Sequence, residues 1–143
     1  MQSDRERFCE VLHEACKRPG LYTGSPRYAA LAHWIGGFDM GMGFRGDSTP
    51  LRLGDFSNWL SRRYLIFGPA WSWPSIVLHV AGSEAEAFPM LEKLFREFSK
   101  EADSFDSQQL YDDLRKALRE AYGVDYHSPD TKVTRDLTIQ GGD

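Results

Sequence analysis

Apolar residues return at intervals of three and four along most of the first 123 positions, and most such stretches open at a capping residue and close at glycine or proline. That periodicity gives each stretch one buried helical stripe. Ser3, with Glu6 three residues on, makes a capping box. The stripe Phe8, Val11, Leu12 and Ala15 then predicts a helix over 3–18, stopped by Pro19-Gly20. Ser25 and Pro26 open a second helix over 26–38, with Tyr28, Leu31, Ala32, Ile35 and Phe38 facing inward. Gly36-Gly37 weakens the end of this helix, and Gly41, Gly43 and Gly46 predict a loop or loosely ordered turn from there to Pro50.

Beyond Pro50, Asp55 caps a short helix carrying Phe56, Trp59, Leu60 and Tyr64. Residues 71–81 fit a helix opened by Pro74 or a short strand over Ser75–Val80, and helix is the better reading. Ser83 and Glu86 start a fifth helix with Ala87, Leu91, Leu94, Phe95 and Phe98 inside, and Pro89 predicts a bend or a later start. Ser107 caps the sixth, which buries Leu110, Tyr111, Leu114, Ala117, Leu118 and Ala121 and ends at Gly123. The expected fold is an all-α compact bundle of about six helices over 1–123. A C-terminal tail, 124–143, follows: a flexible segment, or a short terminal strand over Val133, Leu137 and Ile139.

Charge narrows the function. The formal net charge is −4, which argues against a nucleic-acid partner, since phosphate binding needs clustered Lys and Arg. The acidity is local. Residues 84–113 carry nine carboxylates against Lys93, Arg96 and Lys100, a net −6, whereas 1–63 sum to +2. Glu97, Glu101, Asp103, Asp106, Asp112 and Asp113 surround the junction of the last two helices, as a solvated face or as a docking surface for a basic protein. Trp71 and Trp73, between Pro69 and Pro74, are candidate binding anchors, with one of them expected to cover the core edge. No apolar run reaches the length that spans a bilayer, and no signal-peptide pattern opens the chain, so a cytoplasmic protein without membrane contact is expected.

Catalytic and metal signals are weak. Cys9 and Cys16, about 10 Å apart along one helix, cannot bridge and are expected to be reduced. His13 lies between them at helical spacing, but no second ligand cluster accompanies the three, so no metal is expected. Modest activation of a Cys16 thiolate by Lys17 and Arg18 is the lesser reading beside an inert thiol. His33, His79 and His127 stand in no metal or triad spacing. The glycine spacing after Gly36 fits neither dinucleotide nor Walker patterns. No cofactor and no enzymatic activity are expected.

Two resemblances bear on function. Lys17–Ser25, reading Lys-Arg-Pro-Gly-Leu-Tyr-Thr-Gly-Ser, resembles a short signature of gyrase-type ATPases. That fold also needs a magnesium-ligating Asn on a helix, and the next helix here has none. A tight Pro-Gly turn and a helix cap account for the segment. More widely, the Arg-Pro-Gly-Leu-Tyr-Thr-Gly turn, the helix ending Gly36-Gly37-Phe38-Asp39, Phe56 with Trp59-Leu60, Trp73 and the Ala87–Phe98 helix together look like small bacterial immunity proteins of polymorphic toxin systems. The resemblance implies a non-catalytic protein that neutralises a toxin domain by binding it, its acidic surface mimicking phosphate when the toxin is a nuclease. The alternatives are a small enzyme or nucleotide-binding protein using the Arg18–Ser25 turn, and an oligomeric structural or regulatory subunit.

Overall fold

A computed structural model of the protein describes residues 3–43 and 51–123. Among them are seven α-helices, one 3-10 turn and no strand, so the fold is all-α. The tail 124–143, with Val133, Leu137 and Ile139, lies outside the described residues, as does Gly46. The helices are α1 (Asp4–Lys17), α2 (Pro19–Thr23), α3 (Tyr28–Gly43), α4 (Leu53–Tyr64), α5 (Trp73–Ala81), α6 (Glu84–Glu101) and α7 (Ser107–Tyr122), with the 3-10 turn at Ala102–Ser104.

The chain divides into two units, Met1–Leu53 with Val77–Asp103, and Gly54–Ile76 with Ser104–Asp143. In the first, α1 packs on α6, α2 on α1 and α3, and α3 on α6. Phe8, Leu12 and Ala15 of α1, Leu31 and Ile35 of α3, and Leu91, Leu94, Phe95 and Phe98 of α6 form its core. Phe8 joins the helices through its ring, edge-on to Phe95 at 5.9 Å and tilted against Phe38 at 5.1 Å. In the second unit, Phe56 and Leu60 of α4, Trp73 and Ile76 of α5, and Leu114 and Leu118 of α7 are buried. The Tyr122 hydroxyl there donates to the carbonyl of Leu65 at 2.7 Å, holding a non-glycine residue at φ 56°.

The start of α1 is as expected, with the reciprocal capping box between Ser3 and Glu6. Within the 71–81 segment Trp73–Ala81 is helical, and Gly123 closes α7 in the left-handed conformation at φ 72°. Other boundaries differ, each for a physical reason. Pro19-Gly20 does not simply stop a helix: Pro19 opens the one-turn α2, where its fixed φ suits a first helical position. Gly24, at φ 79°, ends that turn. The cap of α3 is not Ser25. Arg27 precedes its first residue, and the Glu84 carboxylate accepts from the Tyr28 N–H at 2.5 Å, so a side chain distant in sequence satisfies the helix end.

Residues 39–43, expected as loop, continue the helix. Each interior glycine costs about 1 kcal/mol relative to alanine, and tertiary contacts offset this. Phe38 packs on Phe8, and the buried Asp39 carboxylate accepts from the Leu51 N–H at 3.1 Å. Asp55 lies inside the first turn of α4 and does not cap it. Likewise, α6 starts at Glu84 and runs on through Pro89, so no later start occurs. Pro89 is exposed, and the buried Ala87, Leu91, Leu94, Phe95 and Phe98 outweigh one lost backbone bond. Asp106 caps α7, accepting from the Gln109 N–H at 2.7 Å, while Ser107 is its first helical residue. Replacing Asp106 with Ala is expected to cost about 1 kcal/mol, read as a lower urea midpoint, whereas Ser107→Ala leaves the cap in place.

Candidate protein-binding surfaces

The six acidic candidates fall three to each unit. Glu97 and Glu101 lie on α6, half-buried and exposed respectively, and Asp103 on the 3-10 turn. Asp103 is 83% exposed yet accepts from Arg5 Nη2 at 2.7 Å, and the Arg5 side chain is itself 91% buried. The carboxylate therefore neutralises a cation that has left water, a structural task distinct from recognition. On α7, Asp106 is committed to the helix cap, and Asp112 accepts from Gln108 Nε2 at 3.0 Å on the exposed side. Asp113 is exposed beside it. Asp112 and Asp113 are turned away from the buried stripe Leu110, Leu114 and Leu118.

The tryptophans separate. Trp73 is a core residue, 6% exposed with its ring 6.1 Å from that of Phe56, so it offers no anchor to a partner. The Ser57 hydroxyl accepts from its backbone N–H at 2.9 Å and so serves the open end of α5. Trp71 is half-buried and is the one of the pair with surface left to present.

Both cysteines are free thiols. The lesser reading, a Cys16 thiolate activated by Lys17 and Arg18, is not met: burial, reinforced by the Glu92 carboxylate, pushes its pKa up to about 12. Burial raises Cys9 as well, against the opposing effects of a Ser99 hydrogen bond and the Arg96 and Arg5 charges. Neither thiol is a ready nucleophile at neutral pH. His13 is engaged with Glu92 through Nδ1, and Arg96 Nη2 lies 3.5 Å from the same carboxylate oxygen. Among the described residues no three His, Cys, Asp or Glu side chains converge as a metal site. Two results are expected of the thiols. An aromatic disulfide reagent at pH 8 labels both at the full rate only after unfolding in urea. Because the folded-state pKa of Cys16 lies above its ordinary value of 9.0, its contribution to stability is present below pH 9 and is lost as pH rises towards about 12. Cys16→Ala therefore flattens the fall of the urea midpoint over that interval, and an unchanged alkaline slope would disprove the assignment.

The Arg18–Ser25 segment is organised by its own hydroxyl. Thr23 Oγ1 donates toward the carbonyls of Pro19 and Ser25, at 3.0 and 2.8 Å, and accepts from the Ser25 N–H at 3.2 Å. These are the bonds of a turn and a helix end.

One surface was missed by periodicity. Phe38, expected inside, is 40% exposed. It continues a row of rings in the first unit: Trp34 lies 6.2 Å from Phe38 and 5.8 Å from Tyr22, itself 38% exposed. Val11, Leu21 and Met40 add apolar side chains that are 38%, 76% and 64% exposed. Trp34 and Phe38, four residues apart on α3, were the available signal, because a helix with apolar residues over more than half its circumference cannot bury them all on one neighbour.

Among the described residues no helix is long and apolar enough to cross a membrane. Comparison of the chain with family models, curated proteins and solved structures yields no match.

Proposed function

We infer that the protein is a non-catalytic inhibitor of the immunity type, which neutralises a cognate bacterial toxin domain in the cytoplasm by binding it directly. The observation that carries this reading is the local excess of carboxylates in 84–113, a net −6, with Glu101, Asp103, Asp106, Asp112 and Asp113 all exposed to solvent. Such a field attracts a basic partner and speeds the encounter. It suits a toxin domain with a cationic surface, and it suits neither nucleic acid nor an anionic membrane. Asp112 and Asp113 are the proposed contacts, with Trp71 of the same unit as an adjunct, and Glu101 adds its charge to the acidic segment. Asp103 and Asp106 add to the field while holding the fold, and Glu97 adds to it from a half-buried position. The elevated thiol pKa values support a role without covalent chemistry.

Co-expression provides the test. The toxin domain encoded beside this gene should arrest growth alone, and growth should recover when this protein is produced with it. An equimolar complex should be isolated from the same cells. Toxicity unchanged by a well-folded, abundant inhibitor would sink the reading.

A further inference from the structure

We propose that α3 is a self-association surface, through which two copies of this chain pair about a two-fold axis. This goes beyond the inhibitor reading and uses a different face. The sixteen residues of α3 include one formal charge, Asp39, and that carboxylate is buried and bonded to the Leu51 N–H. No carboxylate, lysine or arginine is therefore exposed along the helix. Its outward residues are Ala29, His33, Gly37, Phe38, Met40 and Gly41.

The glycines carry the next step. A Cβ at Gly36, Gly37 or Gly41 would meet no atom within 4 Å, and none of the three has the positive φ that favours glycine. Among the described residues nothing calls for them, although each weakens a helix roughly fivefold relative to alanine. Gly37 and Gly41 stack one turn apart and leave a shallow recess. Phe38 and Met40 border it on opposite sides, 40% and 64% exposed. Small residues at a helix crossing let two backbones approach to the near end of the 8–10 Å range.

Why the occupant is a second copy follows from charge, shape and area. A basic toxin finds no complementary carboxylate on this face, whereas two uncharged faces meet without repulsion. One surface supplies both the protruding Phe38 and Met40 and the recess that accepts such side chains, as an isologous interface requires. With Tyr22, which meets Phe38 through the Trp34 ring, and the exposed Leu21 and Val11, the apolar face offers roughly 500–600 Å² per partner, the low end of interface sizes, as pairing at micromolar concentration requires.

Light scattering coupled to gel filtration, and sedimentation equilibrium, test this on the full chain. At roughly 100 µM the wild type should have the mass of two chains, dissociating on dilution toward the low-micromolar range. Gly37→Leu with Gly41→Leu fills the recess. It should raise the dissociation constant at least about thirtyfold while helicity and thermal midpoint hold or rise, because the new side chains have open space and better helix propensity. Met40→Glu, at a 64% exposed position, should also give single chains by placing like charges together. A wild type that stays a single chain at 100 µM overturns the proposal. So does a two-chain mass that both variants retain. If the wild type is a single chain and the glycine variant instead loses toxin binding, the face belongs to the toxin and self-association is rejected.

Discussion

Association with a basic toxin domain is expected to slow by roughly ten- to a hundredfold at low salt when Asp112 and Asp113 are both replaced by lysine. Each reversal changes the charge by two, so the pair brings the formal −4 of the chain to neutrality and takes α7 from a formal net charge of zero to +4. The fold should survive, because both residues are exposed and lie off the stripe of Leu110, Leu114 and Leu118. Asp103 and Asp106 are left intact by design. Reversing Asp103 would set a lysine against the buried Arg5 guanidinium, and reversing Asp106 would remove the α7 cap, so lost binding would then be confounded with lost structure. Stopped-flow association at about 20 mM and about 500 mM salt is the measurement, since screening removes a steering effect at the higher ionic strength. An association rate at low salt equal to that of the wild type would make α7 a solvated face, and Trp71 would then be the better contact to examine.

How much of this was legible beforehand differs between elements and surfaces. The helices of α1, α4, α6 and α7 were legible because their apolar residues keep one narrow stripe, and burial follows most of that stripe: Phe8 and Leu12, Phe56 and Leu60, Leu91 and Leu94, Leu114 and Leu118 are buried, whereas Val11 and Ala121, expected inside at its edges, are exposed. The extension of α3 to Gly43 was not, because local propensity counts glycine against helix while the compensating contacts, Phe38 on Phe8 and Asp39 on the Leu51 N–H, come from elsewhere in the chain. For the same reason the start of α3 was misplaced: its N-terminal donor is met by Glu84, fifty-six residues away. The α7 cap was off by one position, since Asp106 and Ser107 are both good capping residues and only the backbone decides between them.

Site residues were harder to read because composition reports charge and not commitment. Six carboxylates looked alike in sequence, yet Asp103 answers a buried arginine and Asp106 a helix end, whereas Asp112 and Asp113 lie on the exposed side of α7. Trp73 and Trp71 share a proline-rich segment, but Trp73 is the first residue of α5, and its ring lies against that of Phe56. Cys16 stands next to two cations in sequence, yet neither is among the causes that set its pKa; burial and Glu92 are. In each case the deciding neighbour is tertiary.

The largest loss of stability is expected from Phe95→Ala. The ring is 2% exposed and meets Phe8 edge-on at 5.9 Å and Phe98 at 6.0 Å, on the helix against which both α1 and α3 pack. Truncation removes the transfer free energy of a benzyl group and leaves a cavity among rings held by three helices, at a cost of about 3–5 kcal/mol. Domains of this size have roughly 5–15 kcal/mol in total, so the variant should populate unfolded chains measurably near body temperature. Phe38→Ala is the internal comparison. Its ring touches the same Phe8 at 5.1 Å but is 40% exposed, so water already reaches it and no closed cavity forms. Its cost should fall to about 1–2 kcal/mol, since burial scales with the apolar area removed from water. Urea titrations of the two variants at one low protein concentration, below that at which chains pair, would give the comparison. A lower midpoint at constant slope reports lost stability without a change in the unfolded surface. Equal midpoints for the two variants would mean that Phe95 is no more central to the first unit than Phe38, and would contradict the core described for it.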